Sequence, residues 1–66
     1  MTTTNQINKL RSAALITANK WDGLMMPAEL HEAVRVAFRL TNIADRGGEV
    51  SAKEATSALA RICAAA

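Results

Sequence analysis

Apolar residues recur at steps of three and four along most of this chain, with polar residues in the gaps. Ile7, Leu10, Ala14, Ala18 and Trp21 form the first such line, the spacing that puts side chains on one face of a 3.6-residue helix. It predicts a helix over 5–22, preceded by a polar opening (1–4) that is expected to fray up to its capping hydroxyls. Gly23 is placed to take the left-handed conformation that ends a helix, with Leu24 folding back over the last turn.

A second line, Leu30, Ala33, Val34, Ala37, Leu40, Thr41 and Ala44, predicts a helix over 27–45. Its opposite face carries His31, Glu32, Arg35, Arg39 and Asn42. Pro27 suits the first turn, where a missing N–H costs nothing. The turn Asp45-Arg46-Gly47-Gly48-Glu49 then stops the helix, with Gly47 or Gly48 as the left-handed position.

The third helix, predicted over 51–64, has the most specific local signal. Ser51 followed by Glu54 is a capping box, and Val50 with Ala55 is the matching hydrophobic staple. Ala52, Ala55, Leu59 and Ile62 form its inner line. No stretch alternates with the period of a strand. The expected fold is therefore all-α: one domain, a small three-helix bundle whose first two helices form an antiparallel hairpin, with a short third helix packed on it.

Several apolar residues have no place on these lines. The connector KWDGLMMPAEL carries Leu24, Met25 and Met26 in a row, although connectors are normally polar. Leu15 and Ile16 lie off the first line, and Val36, Leu40 and Ile43 form a second line beside the main one. The expectation is that Leu15, Ile16, Met25, Met26, Val36 and Ile43 belong to a surface completed by another chain. In the alternative, Leu24 packs as a helix cap, one methionine plugs the end of the bundle, and the rest is ordinary exposed apolar area.

Composition sharpens this expectation. The chain has 66 residues, and its 17 large apolar side chains (leaving out the initial methionine) are supplemented by 14 alanines, which fill space but bury little surface. So short a chain buries only about 60% of the surface its unfolded form exposes. The usual reinforcements are missing, since a single cysteine (Cys63) makes no internal disulfide and a single histidine (His31) gives no metal-binding spacing. Self-association is the remaining reinforcement, as a homodimer or higher oligomer. A lone thiol and no apolar leader point to the cytoplasm. No apolar run nears the ~18 residues that cross a bilayer, so no membrane partner is expected.

The net charge is +2, with the basic residues spread as Lys9, Arg11, Lys20, Arg35, Arg39, Arg46, Lys53 and Arg61. That balance permits nucleic-acid binding without arguing for it. Catalysis is not expected. His31 shares a polar face with Glu32 and Arg35, and Cys63 has Arg61 but no histidine near it, so it reads as a small apolar filler. The glycine turn lacks the strand before it and the lysine after it that a phosphate loop needs. No cofactor and no metal are expected.

Three function classes remain. The favoured one is a non-catalytic protein-binding module, a regulator, inhibitor or adaptor of a larger protein, using the apolar set above. Glu32, Arg35, Arg39, Asn42 and Arg46 would be its polar contacts, with the arginines as hot spots. Accessory proteins of phages and plasmids have this style, an analogy that rests on no particular residue. The rival is a dimeric helix-turn-helix-like DNA-binding regulator using Arg35, Arg39, Arg46, Lys53 and Arg61. The third class is a binder of a small anion, such as a nucleotide, held between subunits by the same arginines.

Overall fold

The computed structural model describes residues 4–65 and contains three helices: α1 over Thr4–Lys20, α2 over Ala28–Asp45 and α3 over Ala52–Ala65. Among the described residues there is no strand, and each helix packs against the other two, making a helical bundle. The molecule measures 34 × 20 × 16 Å. Its two shorter dimensions are each less than two helix diameters of ~10–12 Å, so the interior is a single layer of side chains deep.

That layer is made by Ile7, Leu10 and Ala14 of α1, Leu30, Ala33, Val34, Ala37 and Leu40 of α2, and Ala55, Ala58 and Ile62 of α3, closed by Val50. Five of these twelve are alanines, and among the described residues the large side chains fully shut from solvent are Leu10 and Leu30. Methyl-sized side chains let the helices approach closely, so this seam is thin because its residues are small. Two threonines join it. Thr17 is buried although the apolar line passes it by, and the Thr41 hydroxyl donates to the Phe38 carbonyl (2.9 Å), which removes the cost of burying it.

The first helix ends at Lys20, two residues short of the predicted boundary, because its last turn tightens. The Trp21 N–H still donates to the Thr17 carbonyl, but the Asp22 N–H turns to Asn19, three residues back. Gly23 has φ +75°, as a chain reversal there requires, and the Leu24 N–H donates to the Trp21 carbonyl (2.9 Å). Leu24 does not fold back over the helix. It is 65% exposed, and it is the indole of Trp21 that packs against the core.

Pro27 precedes α2 instead of lying in its first turn. With ψ at 144° it is extended, and its carbonyl accepts the first helical bond from the His31 N–H (2.9 Å). At the other end, Gly47 (φ +82°) donates to the Ala44 carbonyl and Gly48 to the Ile43 carbonyl, at 3.1 and 2.9 Å. These two bonds are the Schellman motif, which satisfies carbonyls that the end of a helix leaves open.

Ser51 caps α3 with both its oxygens: the hydroxyl accepts from the Glu54 N–H and the carbonyl from the Ala55 N–H, each at 3.1 Å. Val50 and Ala55 are both buried, closing the staple. The inner strip is Ala55, Ala58 and Ile62, with Ala52 and Leu59 at its half-buried edge, so the predicted line is rotated. The cause is that α3 touches both other helices, which centres its buried strip between the two contacts. Cys63 lies off that strip and is exposed, so it fills no gap in the core. Thr4, expected to fray with the polar opening, is instead the first residue of α1, and Ala65 is helical and packs against the core, whereas the expected fraying of residues 1–3 lies outside the described residues. No helix among the described residues is long and apolar enough to cross a membrane.

Candidate interaction surfaces

Consecutive residues on a helix point about 100° apart, so Leu15 and Ile16 diverge. Ile16, 67% exposed, lines a shallow depression between α1 and α3 together with Ala13 and Leu59. Around it stand Asn5, Asn8, Ser12 and one charged residue, Lys9. Leu15 is on the edge of α1 shared with Arg11 and Ala18, the edge that meets α2, and is about half exposed. Met25 is 93% exposed on the connector. Met26 and Val36 are half-buried and pack against the core.

A second depression runs along α2 and holds most of the polar set. Met26, Val34, Phe38 and Ile43 supply its apolar surface, with Ala18 across from them on α1. Arg35, Arg39, Arg46, Asn42 and His31 line the same depression. Arg35 and Arg39 are one turn apart on α2 and Arg46 is the residue that closes it; at helical spacing of i, i+4 and i+11 the three fall within about 40° of one another around the axis and span about 16 Å. They form one straight ladder. Glu32 does not line this depression, but its carboxylate is 3.8 Å from Arg35. With both side chains more than half exposed, that pair is weak. Among the described residues, Arg39 and Arg46 have no ion pair, and Asp45, the nearest carboxylate in sequence, is engaged by Arg11 of α1.

The structure therefore brings together Arg35, Arg39, Asn42 and Arg46 with Met26 and Ile43, while Ile16 and Met25 lie elsewhere. The periodicity reading overlooked Phe38, which lines this depression, and the Arg11–Asp45 pair, which lies outside it. Phe38 comes one turn after Val34 on the flank of the inner line, a spacing visible in the sequence. The Arg11–Asp45 pair joins residues 34 apart and leaves no mark in any local pattern.

The remaining chemistry is sparse. His31 and Cys63 are exposed on different helices, and among the described residues no group of three or more His, Cys, Asp or Glu could hold a metal ion. The Gly47 and Gly48 amides, which an anion-binding turn would offer to a ligand, donate instead to α2 carbonyls. Compared with known proteins, the chain matches no family model, no curated protein and no solved structure.

Proposed function

We propose that this chain is a small non-catalytic protein-binding module, a regulator, inhibitor or adaptor, that works as a homodimer or higher closed oligomer. The observation that carries the reading is Ile16, which stands two-thirds exposed although, among the described residues, the core fully encloses only two large side chains. In this reading the chain is one domain with α1 and α2 as an antiparallel hairpin, in keeping with the pairing of Arg11, in the first half of α1, with Asp45, the last residue of α2. Self-association uses the depression around Ile16 and Leu59. Its surroundings are almost uncharged, so a second copy can meet it across a two-fold axis without like-charge conflict. A reducing compartment such as the cytoplasm suits the exposed Cys63 thiol.

The test is solution mass by light scattering after size exclusion, at about 50 and 500 mM salt, for the natural chain and Ile16→Glu. The expected result is a fixed multiple of 7.0 kDa at both salts, with the variant dropping to the monomer, since an apolar interface responds little to screening. A monomeric natural chain, or a variant of unchanged mass, overturns this placement of the interface. The arginine ladder favours one second reading, the DNA-binding dimer with Lys53 and Arg61 added. A phosphate-driven complex of that kind weakens steeply between about 50 and 200 mM salt.

A further inference from the structure

We infer that the depression along α2 takes an acidic amphipathic helix from a different protein. The inference rests on the reading of the chain as a protein-binding module and names what one of its faces recognises.

The depression combines two features that few ligands satisfy together. Its floor is apolar, from Met26, Val34 and Phe38, and along it runs the ladder of Arg35, Arg39 and Arg46. A phosphate backbone would answer the arginines and leave the apolar floor without a counterpart. A purely apolar segment would cover the floor and strip water from guanidinium groups that gain nothing in return. A helix with an apolar stripe and carboxylates along one flank answers both, because arginine forms its strongest contacts with carboxylates in paired geometry. The length fits as well, since the ladder's span of about 16 Å equals three turns of a partner helix laid alongside.

A second copy of this chain is a poor occupant. An isologous contact on this face would bring each ladder against its own image, adding like charges at the centre of the interface. Nor does the chain offer a matching acidic helix. There is no carboxylate in α1 and one in α3, and the three in α2 share that helix with the arginines.

The experiment selects from a displayed library of peptides about four helical turns long. Their apolar stripe is fixed, and their flank positions are drawn equally from Asp, Glu, Lys, Arg, Gln and Ser. The full chain serves as bait. Enriched peptides are then titrated against the natural chain and the double variant Arg35→Glu/Arg39→Glu, whose exposed positions leave the core untouched. The expected result is enrichment of Asp and Glu on one flank, binding at least about tenfold weaker to the double variant, and recovery when a Lys-flanked peptide meets that variant. Basic or neutral flanks, binding indifferent to the double variant, or no enriched helix each overturn the inference. So does a labelled DNA duplex that binds the natural chain, loses the double variant and weakens steeply with salt, an outcome that assigns the ladder to phosphate. Light scattering on the same samples separates this from the broader reading: an oligomer that selects no helix removes only the acidic partner, whereas a monomer that selects one removes only the self-association.

Discussion

A Cβ at residue 48 would stand 2.6 Å from Cγ2 of Ile43 and 3.0 Å from the Ile43 carbonyl oxygen. That carbonyl accepts the Gly48 N–H, so the two residues are held together by the bond that closes α2. Glycine is needed at 48 for space, since its φ lies outside the left-handed region. Gly48→Ala should lower stability by about 1–3 kcal/mol, the usual range for overpacking. Adding Ile43→Ala should return part of the loss by removing Cγ2, while the backbone oxygen still crowds the methyl group. Urea unfolding followed through the single indole, Trp21, measures both. Full additivity of the two changes would mean that the crowding does not govern the site.

Gly47 is needed for a different reason. Nothing lies within 4 Å of a Cβ built there, but its φ is +82°. Gly47→Ala should cost about 1–2 kcal/mol from backbone strain alone, and Gly47→Asn should cost less, because asparagine tolerates the left-handed region. Gly23, with φ +75° and equally open space, should behave in the same way. Denaturation midpoints of the four variants decide the matter. Alanine and asparagine of equal cost at either site would refute it.

The Ser51 hydroxyl holds the Glu54 N–H at the start of α3. Ser51→Ala should lose about 1 kcal/mol, which in a domain of this size lowers the melting temperature by about 4–8 °C. Ser51→Asp should keep most of the stability, since its carboxylate accepts the same bond. A thermal melt by circular dichroism reads the difference.

Arg11 and Asp45 have side chains 35% and 58% exposed, so water and salt screen their attraction. A double-mutant cycle with Arg11→Met and Asp45→Asn should give a coupling of about 0–1 kcal/mol that shrinks further near 500 mM salt. A larger coupling that persisted at high salt would show that the pair is effectively desolvated.

The helices were legible because periodicity and end signals agree. Ile7, Leu10 and Ala14, and Leu30 to Leu40 at helical spacing, are the residues found inside, and Ser51 caps the helix it was expected to cap. The errors share a cause. A one-helix pattern identifies an inner line but not how broad a strip its neighbours cover, and that decided Thr17, Ala58 and Val36. Trp21 packs against the core as its place on the inner line predicts, whereas Leu24, expected to fold back over the last turn, is exposed. Arg35, Arg39 and Arg46 could be seen to share one face of a helix, whereas the apolar floor that Met26 and Phe38 place beside them depends on how the connector returns.

The alanine seam sets the direction in which this protein can vary. Ala14 and Ala37 are fully enclosed, and Ala33, Ala55 and Ala58 nearly so, so a larger side chain at any of them has to push two helices apart. Substitutions that strengthen such a molecule are therefore confined to its exterior. The residues open to that change include Leu15, Ile16 and Ile43, so over generations of sequence drift, gains in robustness and changes in what the protein recognises are written on the same few positions.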